Sequence, residues 1–335
     1  PVHSVSAQPQ LMMRHLDNWP RIASIIGTTT DHLEALVMPR ANKEFVYLKR
    51  HVSQETAQAL AEANFPGVAL LVEQRRYYPA AEVTAHTLGF TNVDDEGQEG
   101  IELAYDQTLR GKQGRHKVIK DRLGRVIEFV DQIKPTVPGR GLTLSIDKRI
   151  QYIAYRELKA AVQAHEAEAG SMVIADPRSG EVLALVNQPS FNPNNRGELK
   201  GEHYRNRAVT DIFEPGSTIK PITIAAALES GHYRPETSIS TDPGYFKVGQ
   251  HVVTDLKNFG ELDVAGVIKK SSNVGASKIA LSLEPELLWN MLHGVGFGAD
   301  SGTGLPGEST GHLNEARNWR DIERATLAFG YGISV

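Results

Sequence analysis

The stretch KPTVPGRG, residues 134–141, sets two prolines and two glycines within eight positions. Proline has no N–H to give to a ladder or a helix, and glycine loses the most backbone freedom on ordering. Such a segment sits inside neither a helix nor a central strand, so it divides the chain. The 335 residues exceed what one typical core organises. The expectation is two domains, 1–138 and 139–335, of α+β class.

The residue patterns change across that break. Before it, short helical and strand-like pieces alternate. SQETAQALAEA (53–63) predicts a helix capped by Ser53, with Ala57, Leu60 and Ala61 on one face. GVALLVEQRRYYP (67–79) predicts a strand running to its proline, and GQEGIELAYDQTLRG (97–111) a turn and then a helix ended by Gly111. HKVIKDRLGRVIEFV (116–130) predicts a hairpin with DRLG as its turn. After the break, LTLSID (142–147) alternates like a strand. KRIQYIAYRELKAAVQAH (148–165) predicts a long helix with Ile150, Ile153, Leu158 and Val162 on or near one stripe. SMVIADPRSGEVLALV (171–186) predicts a hairpin. A helix beside a mainly antiparallel sheet is the expected layer of the second domain.

Composition narrows the chemistry. There is no cysteine, which removes disulfides, thiolate catalysis and thiolate metal sites. Net charge is −4, and basic clusters such as KDRLGR (120–125) are interrupted by acids and read as solvated faces, so nucleic acid is not an expected partner. No H-E-x-x-H pattern or other metal signature occurs, and no cofactor is expected. No apolar run approaches the length of a membrane span.

EPGSTIKP (214–221) places Ser217 directly after a Pro-Gly turn and Lys220 three residues on. Pro221 is tolerated only in a helix's first turn, so the helix over 217–231 starts close to Ser217 and ends before Gly231. Ser217 then sits at the positive end of the helix, with Lys220 about one turn away on the same side. A serine hydroxyl attacks only when a base takes its proton, and a lysine can be that base when burial lowers its pKa. First-turn N–H groups lack intrahelical partners and can face a developing oxyanion. The spacing alone is weak. A second S-x-x-K, Ser145–Lys148, lies at a strand-to-helix junction and reads as structural, with Asp147 or Ser145 capping the next helix.

KKSSNVGASKIA (269–280) follows downstream. Ser271 can relay a proton, and Asn273 offers both a donor and an acceptor to a substrate amide. Ser-Ser-Asn is equally a helix-cap sequence. Ser190–Asn192 repeats the S-x-N spacing between two prolines and reads as an extended loop. Other features read as structural: His86 as a core or turn residue, RRYYP (75–79) as packing, and the Gly-rich GADSGTGLPGE (298–308) as a surface loop. Glu214 either orients the site or is a solvated turn acid.

S-x-x-K followed by S-x-N is the order found in penicillin-binding proteins and serine β-lactamases. With RRYYP, AEVTAH, GFTNVD, EGIE, DRLGRVIE, PSFNPNN, RNRAVTDIFEPGST, KSSNVG and WRDIERATLAFGYG, the chain resembles a class B penicillin-binding protein. It is most similar to the division-specific, FtsI-type penicillin-binding protein 3 of Gram-negative bacteria. The resemblance runs from about residue 45 to the end and is weaker over 1–44. It implies an N-terminal pedestal (1–138) and a transpeptidase domain (139–335) with a central, mainly antiparallel sheet flanked by helices.

The same resemblance implies a peptidoglycan D,D-transpeptidase of the septum. Its place would be the periplasmic side of the inner membrane, with an N-terminal transmembrane anchor that these residues lack. Ser217 would attack the carbonyl between two terminal D-alanines, Lys220 would take its proton, and Ser271 and Asn273 would complete proton transfer and substrate binding. Partners would be stem peptides as D-Ala-D-Ala donor and amine acceptor, β-lactams as covalent inhibitors, and division-complex membrane proteins including a glycosyltransferase on the pedestal. The family's third motif, K-[ST]-G, does not occur in the 335 residues. The expectation is that the transpeptidase domain continues past Val335 and that residues 1–335 alone lack a competent site. Two other readings stand beside this one. An inactive envelope scaffold of the same fold is the first. A serine β-lactamase is the second; the Glu-x-x-x-Asn pattern at Glu202–Asn206 lies ahead of Ser217 instead of after S-x-N, and the same spacing recurs at Glu286–Asn290.

Overall fold

The computed structural model describes residues 1–112, 114–120, 126–195 and 201–335. They form two compact units, Pro1–Arg205 and Asn206–Val335. Every strand pair among the described residues is antiparallel.

The first unit opens with β1 (Val2–Ala7), α1 (Trp19–Ile26), α2 (Thr30–Val37), β2 (Val46–Val52), α3 (Gln54–Ala63) and β3 (Val68–Glu73). β1 lies between β2 and β3. One core joins sheet and helices through Val5, Trp19, Ile22, Leu33, Leu48 and Leu60. α3 forms with its predicted cap, Ser53 Oγ accepting from Thr56 N–H at 3.2 Å, and with Ala57 and Leu60 buried, while Ala61, expected on the same face, is exposed. β3 is shorter than the predicted 67–79, ending at Glu73 just past its apolar run. The chain leaves the sheet after Glu73 because Arg75 donates to the Asn194 carbonyl (2.8 Å) and Tyr78 N–H to Asn194 Oδ1 (3.0 Å). With Arg76 paired to Glu102 at 2.8 Å, RRYYP serves packing. The helix expected to end at Gly111 is two short pieces, Gly100–Ala104 and Asp106–Leu109, broken at Tyr105. β4 (Arg115–Lys120) and β5 (Val126–Lys134) form the expected hairpin, and the DRLG turn lies outside the described residues.

α4 (Lys148–Ala164) packs on the hairpin of β6 (Gly170–Ala175) and β7 (Val182–Gln188) through Ala154, Leu158, Ala184 and Val186. Asp147 caps α4 by accepting from Arg149 and Ile150 N–H at 2.8 and 3.1 Å. Two expectations fail here. Ile153 faces solvent, and Gln151, fully buried, takes the inner position instead. Its carboxamide donates to the Val83 and Leu185 carbonyls and accepts from Leu185 N–H, so a polar side chain fills the apolar stripe by being satisfied. Residues 142–147 are not a strand. They run beside β7 with one main-chain bond, Asp147 N–H to Leu183 O (2.9 Å), and one from the Ser145 hydroxyl to Val182 O (2.7 Å). Alternation alone does not make a ladder. His86 is a core residue, 2.9 Å from the His203 carbonyl and edge-on to Phe191.

In the second unit, α5 (Lys220–Glu229) follows a single 3₁₀ turn, Gly216–Ile219. Then come β8 (Ser238–Ser240), β9 (Tyr245–Val248), β10 (His251–Thr254), β11 (Glu261–Asp263), α6 (Val264–Lys270), α7 (Asn273–Ser282), α8 (Pro285–Gly294) and α9 (Asp321–Leu327). β8 pairs with β11, and β9 with β10. The core gathers Ile219, Ile224, Val267, Ile279, Leu288 and Leu292 from α5 to α8. Residues 298–308 are a loop organised on the Glu308 carboxylate, which accepts from Ser301 and Thr303. Among the described residues no helix is long and apolar enough to cross a membrane.

Candidate active site

Pro221 stands in the first turn of α5, so the helix starts where the sequence requires. The preceding 3₁₀ turn lifts Ser217 onto the surface and turns Lys220 inward. Lys220 is 1 % exposed. Its Nζ lies 2.9 Å from Ser217 Oγ, 2.9 Å from Ser271 Oγ, 2.8 Å from Asn273 Oδ1 and 2.8 Å from the Ser271 carbonyl. All four residues singled out from the sequence therefore meet at one nitrogen, although 51 to 53 positions separate Lys220 from the S-x-N pair.

Burial lowers the Lys220 pKa from its ordinary 10.5 to about 8, the nearby Asp255 charge opposing part of the drop. The partners explain how a neutral amine fits. The Ser271 carbonyl and Asn273 Oδ1 can only accept, so they claim two N–H groups. That leaves a lone pair for a serine hydroxyl to donate into, and Ser217 Oγ is in range. The ring of Phe329, 6.0 Å from Nζ, forms an apolar wall nearby.

S-x-N is also set by local chemistry. Ser271 adopts left-handed backbone (φ 54°) as the residue closing α6, and Ser272 caps α7, its hydroxyl accepting from Gly275 N–H at 2.9 Å. Of the two serines, Ser272 is the cap and Ser271 is the one that meets Lys220. The second S-x-x-K has no such convergence: Ser145 bonds the Val182 carbonyl, and Lys148 is exposed on the first residue of α4. Ser190, of the other S-x-N, donates to the Glu82 carbonyl at 2.8 Å in a loop.

A family model for the penicillin binding protein transpeptidase domain matches residues 170–335, and one for the penicillin-binding protein dimerisation domain matches residues 2–144. The peptidoglycan D,D-transpeptidase FtsI of Escherichia coli is 43% identical over 319 residues, 95% of this chain and 54% of that protein. The chain belongs to the penicillin-binding proteins. A probable peptidoglycan D,D-transpeptidase PenA of Neisseria meningitidis is 38% identical over 339 residues, 100% of this chain and 58% of that protein. This penicillin-binding protein chain spans between half and three-fifths of the length of those curated relatives. Among solved structures, the transpeptidase domain of Burkholderia pseudomallei penicillin-binding protein 3 shares 46% identity, with a TM-score of 0.52 over 59% of this chain and 55% of that one. A peptidoglycan synthetase from Bifidobacterium adolescentis aligns over 100% of this chain and 66% of its own, with a TM-score of 0.72. At 23% identity that likeness concerns the fold.

Some residues that build the site in this penicillin-binding protein gave no sequence signal. Asp255, just after β10, accepts from Ser272 Oγ (2.5 Å), Asn273 N–H (2.5 Å) and Val274 N–H (3.0 Å). A carboxylate thus caps α7 at its positive end, while the Thr254 carbonyl accepts from Asn273 Nδ2 at 3.2 Å and fixes the amide's orientation. Glu214 belongs to the site's frame: its carboxylate accepts from Gly332 N–H at 2.8 Å. Beside it, Gly216 N–H donates to the Gly330 carbonyl at 3.1 Å, and Phe213 and Val335 exchange main-chain bonds. Gly330 needs to be glycine twice over. Its φ is +91°, and a Cβ there would fall 2.0 Å from Gly216 O. The FGYG segment was visible in the sequence, but its contact with the Ser217 turn was not.

Proposed function

We propose that this protein is a septal peptidoglycan D,D-transpeptidase acting through a serine acyl-enzyme. The observation that supports this reading best is a water-sealed Lys220 amine within 2.9 Å of both Ser217 Oγ and Ser271 Oγ. A lysine in that setting is a base, because its charged form is the one burial disfavours. Ser217 Oγ attacks the carbonyl carbon of the penultimate D-alanine, and its proton passes to Lys220 Nζ. As the tetrahedral adduct collapses, the C–N bond breaks and the nitrogen leaves as the amine of D-alanine, protonated through Ser271 Oγ. Asn273 holds the substrate amide. The ester on Ser217 is then attacked by the amine of a second stem peptide, which yields the cross-link and returns the proton to Ser217. A β-lactam opens on the same hydroxyl and stays as the ester.

Residues 1–138 act as the pedestal that docks division-complex membrane proteins, a glycosyltransferase among them, and residues 139–335 belong to the catalytic domain. The site faces the periplasm, where its substrate lies. The test is intact-mass measurement of the full-length protein after incubation with benzylpenicillin, followed by peptide mapping. One adduct on the peptide containing Ser217 is expected. No adduct, or an adduct on another serine, would overturn the reading.

A further inference from the structure

α7 begins at Asn273 and directly follows Ser271 and Ser272, so whatever fixes α7 along its axis also fixes the S-x-N side of the Lys220 cluster. The side chains it buries are mostly small, with Gly275, Ala276, Ser277 and Ala280 among them. Small side chains leave shallow ridges and grooves, and shallow ridges resist axial sliding poorly. The stops are polar instead. At the first turn stands Asp255, as described. At the last turn stands Arg324 of α9, 13% exposed, whose Nη2 donates to the carbonyls of Leu283 (2.6 Å), Ala280 (3.2 Å) and Leu281 (3.3 Å). Between them Ser277 Oγ donates to the Ala325 carbonyl at 2.8 Å. The charges sit as the helix dipole favours, anion at the N-terminus and cation at the C-terminus.

We propose that Arg324 is a positioning residue for acylation. By gripping the last carbonyls of α7 it sets, about 15 Å away along a ten-residue helix, where Ser271 and Asn273 meet Lys220. This rests on the reading of Ser217 as the nucleophile. Asp255 alone would pin one end and leave the rod free to tilt about it. Two opposed clamps fix both position and direction. All three bonds come from Nη2, which the planar guanidinium holds in a fixed direction, whereas a lysine ammonium ends a flexible stem with no such constraint. Displacement of a reacting group by about 1 Å is enough to cost on the order of 100-fold in rate.

The experiment uses the full-length protein and its Arg324→Met and Arg324→Lys variants. Stopped-flow acylation by a chromogenic cephalosporin separates the acylation rate constant from the preceding dissociation constant. The burst amplitude counts intact sites, so loss of folded protein lowers the amplitude and leaves the rate constant per site unchanged. Arg324→Met is expected to lower that rate constant about 10- to 100-fold with the dissociation constant within about twofold; Arg324→Lys is expected to fall between it and wild type. A per-site rate constant within twofold of wild type in Arg324→Met, or in Arg324→Lys where the methionine variant does not fold, would overturn the proposal. So would a loss confined to the dissociation constant. Ser217→Ala run alongside separates the two levels: if it still acylates, the nucleophile reading fails first; if it is silent while the Arg324 variants match wild type, only the positioning role is lost.

Discussion

Ser145–Lys148 and Ser217–Lys220 share a spacing and a place at the start of a helix, yet the structure gives them opposite environments. Ahead of α4, Asp147 satisfies the first N–H groups, Ser145 is occupied by the Val182 carbonyl, and Lys148 points to water. At α5 no acidic side chain caps the helix, Ser217 is exposed, and Lys220 is the buried member. The difference lies in what covers the lysine. α4 rests one face on a hairpin and leaves its start in solvent. α5 is enclosed by α7, and the S-x-N turn closes over Nζ. A spacing therefore states only which side chains share a helix face; burial decides whether an amine on that face becomes a base.

The strongest way to break this contrast is at the hydroxyls. Ser217→Ala is expected to abolish labelling of the full-length protein by a fluorescent penicillin, and Ser145→Ala to leave it at the wild-type level. Equal labelling of the two variants would erase the distinction. At the amines, Lys220→Ala should slow acylation by at least about 100-fold, the scale of general-base catalysis, while Lys148→Ala stays within about twofold. The reverse order would mean that the exposed pair is the working one.

The caps sharpen the comparison at lower amplitude. Asp255→Asn keeps the shape of the α7 cap but removes its charge, and is expected to slow acylation about tenfold through misplacement of Asn273. Asp147→Asn should leave acylation unchanged and slightly lower the melting temperature. Equal kinetics for these two variants would remove Asp255 from the site.

The smallest effect is in pH. Acylation should rise as pH passes about 8, where Lys220 loses its proton. Stability carries the same signature. The folded pKa lies below the ordinary value of 10.5, so between about 8 and 10.5 the unfolded chain holds the extra proton. Over that window the melting temperature of wild type should gain on that of Lys220→Met as pH rises. Curves that stay parallel would mean that Lys220 is not titrating from a buried position.

Local chemistry was legible where the sequence itself holds both partners of an interaction. Ser53 caps α3, Asp147 caps α4, and Pro221 fixes the start of α5, because each acts within one helical turn. The β6–β7 hairpin was legible from two apolar runs joined by a turn rich in Pro, Ser and Gly, and in the structure Asp176 bonds its own next residues there. The errors came where distant partners decide. The alternation of 142–147 met only one main-chain bond from β7, and the polar Gln151 displaced Ile153 from the inner face because β7 and Val83 offered it a complete set of partners. Asp255 had no signal at all, since the N–H groups it satisfies lie 18 and 19 residues away.

The sequence by itself determined that a serine and a lysine lie one turn apart at the mouth of a helix, that Ser-Ser-Asn is a cap or turn sequence, and which family those motifs resemble. Each of these follows from short-range stereochemistry, which a chain carries wherever it folds. Only the tertiary structure decided which of the two serine–lysine pairs is covered, that the S-x-N turn is the cover, and that charges at both ends of α7 hold it in place. Solvent exclusion and the meeting of remote groups are properties of packing, and no spacing along the chain encodes them.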